Sequence, residues 1–145
     1  IKATDKDDRT IKAVNLCQEK LNRALQFPFT SISVGTHGGT TAKTLNSNAA
    51  AGSINLVLGP ETIDGVQFTS QLDVSDVPVT FQVPTYDPFA KGEQPNTPAN
   101  WGWSNQNINF TNVYHKYVLT VTWQDKGSKT NKFYTLASHK AKIRR

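Results

Sequence analysis

The chain contains no methionine, a single cysteine and only short apolar runs within its 145 residues. One cysteine excludes an internal disulfide. Cys17 falls on the apolar stripe of a helical pattern and reads as a buried core thiol, because free cysteine behaves as a small hydrophobe. A lone core thiol says nothing about redox compartment. The apolar runs fall well below the roughly 20 residues a membrane-crossing helix needs. Hydrophobic residues make up 37% and charged residues 19%, which is polar for a folded protein but far from a disordered composition. No internal repeat or low-complexity tract is present, and the length suits one domain with a real core.

Reactive constellations are also missing. His37, His115 and His139 are distant from one another in sequence, and none forms a ligand pair with Cys17. His37-Gly38-Gly39 is similar to the oxyanion loop of esterases, but no Gly-x-Ser-x-Gly elbow accompanies it. The same glycines lack the Gly-Lys-Ser/Thr ending of a phosphate-binding loop. Asp64, Asp73 and Asp76 are not spaced as a calcium-binding loop. The Asn109-Phe110-Thr111 sequon is read as accidental. The expectation is therefore a protein that is not an enzyme, with no metal and no cofactor.

What is present begins with a helix. Ile11, Val14, Cys17, Leu21 and Leu25 recur three or four apart and form one stripe. Phe27-Pro28-Phe29 ends it near Gln26, because proline cannot continue a helix and forces the preceding residue towards extended geometry. The charged start, Thr4-Asp5-Lys6-Asp7-Asp8, carries no such entry signal. Residues 27–62 are rich in glycine and small polar residues and read as loop, with a helical turn at Ala49-Ala50-Ala51 and a short strand at Ile54–Leu58. Strand alternation is clear from Ile63 to Val74, and Val77–Val83 is a candidate partner. Four of the seven prolines follow between Pro84 and Trp103, so 84–112 reads as a long excursion, pinned where Tyr86, Phe89, Trp101 and Trp103 dock. Tyr117, Leu119, Val121 and Trp123 alternate with polar residues, Asp125–Lys129 supplies a turn, and Asn131–Ser138 returns as a hairpin. The expected class is α+β: an N-terminal amphipathic helix (1–26) packed on an antiparallel sheet (63–138), with long loops and a basic tail (139–145).

Charge is graded along the chain. Six Lys/Arg face four Asp/Glu in residues 1–26, two face six in 27–113, and eight face one in 114–145, for a net charge of +5. Lys126, Lys129, Lys132, Lys140 and Lys142 form a candidate DNA contact, and Trp101 with Trp103 a candidate platform for bases or a surface glycan.

Three phrases resemble the type IV pilin-like proteins, in particular minor pilins of the PilV type and minor pseudopilins of type II secretion. They are Ala13–Asn22 followed by Phe27-Pro28-Phe29, then Ile63-Asp64-Gly65-Val66, then Leu119–Gly127 with Tyr134-Thr135-Leu136. Together they cover about half the chain. The family's cleavage site and hydrophobic helix are absent, and the resemblance implies that they lie upstream of Ile1, where that helix anchors the subunit in the membrane. It further implies a structural minor pilin at a bacterial envelope, placed in the inner membrane before assembly and in a periplasmic or extracellular filament afterwards. Its partners are then other pilin or pseudopilin subunits and the inner-membrane assembly machinery. A secretion pseudopilin, or a minor pilin that binds DNA or sugar in uptake or adhesion, is the alternative.

Overall fold

The computed structural model describes residues 2–49, 52–87, 102–125 and 129–142. One helix, α1 (Lys2–Gln26), precedes the strands β1 (Gly35–Gly38), β2 (Lys43–Ala49), β3 (Gly52–Ile63), β4 (Val66–Asp76), β5 (Val79–Asp87), β6 (Gly102–Phe110), β7 (Tyr114–Gln124) and β8 (Asn131–Ala141). All the pairings are antiparallel. Six strands form one sheet in the order β2-β3-β4-β7-β8, with β1 also on β4, and β5 and β6 form a separate two-stranded ribbon.

This corrects the α+β expectation of a pilin-like helix-on-sheet domain with long loops: strand accounts for 62% of the chain and helix for 17%, so the fold is β-rich with a single N-terminal helix. The difference lies in the segments read as loop. Within 27–62 the polar stretch Lys43–Ala49 pairs residue for residue with the first half of β3, from Lys43↔Leu58 to Ala49↔Gly52. Both described ends of the 84–112 excursion, 84–87 and 102–110, belong to the ribbon, in register from Val79↔Phe110 to Asp87↔Gly102, and 88–101 lies outside the described residues. Val77–Val83 accordingly pairs with β6 and not with the preceding strand. The basic tail begins later than expected, because β8 runs to Ala141.

Ile63 and Val66 are paired neighbours, so the expected single strand from Ile63 to Val74 is broken by a two-residue turn at Asp64-Gly65. Both turn residues have positive φ, 50° and 78°, as the tight hairpin turn whose twist suits its flanking strands requires. β3 exchanges partners at Gly59, pairing with β2 up to Leu58 and with β4 from Gly59 onwards. A Cβ at Gly59 would sit 2.6 Å from the Ala42 Cα, and φ there is +111°, so only glycine fits this crossing.

The core lies between α1 and the sheet face carrying Phe68, Leu72 and Val74 of β4, Tyr117, Leu119, Val121 and Trp123 of β7, and Leu56 and Leu58 of β3. On the helix the buried positions are Ala13, Cys17, Leu21 and Ala24, with Leu16 and Leu25 packed against them. Val14 is only half-buried, and Ile11, expected on the stripe, is 58% exposed. The small side chains of Ala13 and Ala24 let the helix approach the strands closely, which turns its contact line away from Ile11. Lys20 is also buried beneath the helix, where its ammonium donates to the Val57 carbonyl and pairs with Glu61 at 3.4 Å.

Candidate interaction surfaces

Strand alternation divides the β5–β6 ribbon into two unlike faces. Val79, Phe81 and Val83 lie on the same face as their partners Phe110, Ile108 and Gln106, whereas Thr80 and Gln82 lie with Asn109 and Asn107 on the other. Phe81, Val83, Ile108 and Phe110 are 54%, 38%, 39% and 43% exposed. The rings of Phe81 and Phe110 meet edge to face with centroids 5.9 Å apart. On the polar face the Thr80 hydroxyl donates to the Asn109 side-chain oxygen at 2.8 Å. The ribbon makes its main contacts within itself. Its foot is clamped to the sheet, where Val77 N–H donates to the Tyr114 carbonyl at 2.9 Å and Asn112 N–H to Asp76 Oδ1 at 3.1 Å.

A second surface forms where β4 and β7 part. Their pairing runs from Asp76↔His115 to Thr69↔Thr122 and stops, although β4 starts at Val66 and β7 continues to Gln124. The gap is a cleft of about 890 Å³ lined largely by Gln67, Thr69, Gln71, Thr122, Gln124 and Asn131. Arg9 and the buried Asp125 close its helix side, 3.7 Å apart, and Lys132 pairs with the same carboxylate. Lys12 bridges Asp64 of the β3–β4 turn and Asp8 one helical turn earlier. Hydrogen bonds to these two carboxylates hold the Lys12 ammonium above its ordinary pKa of 10.5.

The lysines expected to contact DNA do not form one free row. Lys140 donates to the Leu25 carbonyl at 2.6 Å and to the Phe27 carbonyl, and so caps the C-terminal end of α1. Burial pushes its pKa below 10.5. Lys132 is held by Asp125. Lys129 and Lys142 are exposed. Lys126 and Trp101 lie outside the described residues, as does Phe89, while Trp103 stands in β6 across from Tyr86.

No arrangement among the described side chains prepares a nucleophile. The buried Cys17 thiol donates to the Leu119 carbonyl at 3.3 Å, and burial raises its pKa, which disfavours the reactive thiolate. His37 bonds the Ser33 carbonyl at 2.7 Å and Lys43 at 2.8 Å; His115 stacks on Phe29 and His139 on Tyr114. Among the described residues no group of three or more His, Cys, Asp or Glu is placed to hold a metal, and no helix is long and apolar enough to cross a membrane.

Sequence reasoning missed both surfaces. The ribbon's signal was legible as Val79/Phe81/Val83 and Ile108/Phe110 alternation, but the prolines around it masked the pattern. The cleft had none, since it arises from where a long-range pairing ends. Comparison with known proteins returns no match: no family model, curated protein or solved structure is similar to this chain.

Proposed function

We propose that this chain is a structural, non-catalytic subunit that joins a larger assembly through the apolar face of the β5–β6 ribbon. The three pilin-like phrases favour one form of such an assembly, a type IV filament in which the chain is a minor pilin. The observation that carries the reading is the exposed row of Phe81, Val83, Ile108 and Phe110 on one side of a ribbon that, among the described residues, packs mainly on itself. Two-stranded ribbons are marginal in water, and large apolar patches on a folded chain mark interaction sites. Full burial of such side chains is worth about 1.5–3 kcal/mol each. With these four already about half-buried, docking recovers roughly 1 kcal/mol from each. Among the described residues β5 and β6 pair only with each other, so a neighbour can extend the ribbon by strand addition.

The test is site-specific cross-linking in cells of the source organism, in a Cys17→Ala background. A cysteine at Ile108 is expected to yield adducts with a neighbouring subunit, and one at Asn107, on the opposite face, is not. The Phe81→Ser/Ile108→Ser double variant is expected to lose surface filaments while the folded chain loses no more than about 2 kcal/mol, the share these half-buried side chains already contribute. Adducts from both faces alike, or normal filaments in the double variant, contradict the reading.

A further inference from the structure

We propose that the cleft between the parted ends of β4 and β7, whose lining holds no residue of the ribbon, binds a neutral carbohydrate chain. At about 890 Å³ it is large enough for several sugar rings. Its lining presents amides and hydroxyls, from Gln67, Thr69, Gln71, Thr122, Gln124 and Asn131, and these groups both donate and accept hydrogen bonds as sugar hydroxyls do.

Charge decides the ligand class. Every described ionic side chain at the cleft already has an opposite partner: Arg9 and Lys132 are on Asp125, and Lys12 is on Asp64. A phosphate, sulfate or ammonium ligand would have to break one of these pairs, whereas a polyol leaves them intact. Charged groups spent on each other also make poor anchors for a nucleic-acid backbone, which needs free cations.

Two aromatic residues border the polar lining. Trp123 lines the cleft, and its buried indole N–H has no acceptor among the described residues. That nitrogen is closed to solvent, so its proton serves as a reporter of a ligand in the cleft and not as a direct contact. Phe133, 70% exposed, stands in register beside Thr122 on the outer sheet face. Its ring offers an apolar platform for the C–H face of a pyranose, extending the binding surface beyond the polar lining.

The experiment is a nuclear magnetic resonance titration of the isotope-labelled chain with maltohexaose, cellohexaose and N-acetylchitohexaose, and with dextran sulfate and an unstructured peptide as controls. A neutral oligosaccharide is expected to shift the Trp123 indole signal and the amides of Thr69, Thr122 and Asn131. Affinity is expected to change less than about twofold between about 50 and about 300 mM salt. Gln67→Ala and Phe133→Ala, both at exposed positions, are each expected to weaken binding tenfold or more while leaving the melting temperature in place. The proposal is overturned if no oligosaccharide moves these signals, if the shifts centre elsewhere, if either variant binds as the parent does, or if dextran sulfate or the peptide occupies the cleft in preference.

Discussion

Replacing Lys140 with methionine tests the reassignment of this residue from ligand contact to helix cap. The Lys140 ammonium crosses from β8 to two carbonyls at the end of α1, those of Leu25 and Phe27. The last four carbonyls of a helix have no partner within it, so losing this donor leaves part-buried acceptors unmade. A hydrogen bond from a charged donor contributes about 1.5–3 kcal/mol. Two such bonds do not simply add here, because burial lowers the pKa of Lys140, showing that desolvation of the ammonium offsets part of the gain. A net loss of about 2 kcal/mol follows, since methionine keeps the packing of the stem and removes only the donor. For a chain of this length that corresponds to a fall of about 6–8 °C in melting temperature. Calorimetry and guanidinium unfolding of K140M, with K142M as the control, measure it. Lys142 is exposed, so K142M should stay within about 0.5 kcal/mol of the parent. If K140M is as stable as K142M, the capping argument is wrong and Lys140 returns to the pool of free surface cations.

Two other perturbations follow from the same geometry. The Cys17 thiol is raised by burial from an ordinary value of 9.0, so above that pH the unfolded chain releases a proton that the folded chain retains. Stability contributed by the protonated thiol is complete below pH 9.0 and is lost as pH rises towards the folded value. Cys17→Ala should cost about 1 kcal/mol at neutral pH, and urea titrations should find its deficit against the parent shrinking above pH 9.0; a constant deficit refutes the burial argument. Gly59→Ala should cost about 2–4 kcal/mol in the same assay, because φ is +111° and the new Cβ would meet the Ala42 backbone. Gly65→Ala, with positive φ but open space around it, should cost only about 1 kcal/mol; equal losses would mean that the crowding at Gly59 relaxes freely.

Legibility followed the range of the interaction. The end of α1 was readable because Phe27-Pro28-Phe29 acts locally, and the inward faces of β4 and β7 because Phe68/Leu72/Val74 and Tyr117/Leu119/Val121/Trp123 repeat every second residue. Asp64-Gly65 was also a local signal, flanked by Ile63 and Val66, but the alternation running past it hid the turn. β2 has little signal of its own. Leu45 is its one large apolar residue, and the strand exists because β3 supplies its partners. The first turn of the helix stripe differs for a related reason: Cys17, Leu21 and Leu25 meet the core but Ile11 does not, because Ala13 and Ala24 set how closely α1 approaches the sheet. The charge network at the cleft escaped altogether, since Arg9 and Asp125 are brought together only by the tertiary fold.

The same distinction alters what the basic composition means. Eight Lys/Arg against one Asp in residues 114–145 suggested an electrostatic surface. In the folded chain Lys132 neutralises a buried carboxylate and Lys140 satisfies a helix end, so two of the strongest candidates are turned to internal use. Among the described residues, two outward-facing features are the apolar face of the ribbon and the polar lining of the cleft. Neither depends on long-range attraction. Recognition built on them is governed by shape, apolar burial and hydrogen bonding, and it should persist at salt concentrations that dissolve contacts between exposed charges. If the two proposals hold, a chain whose sequence looks electrostatic meets its partners mainly through apolar and hydrogen-bonding surfaces.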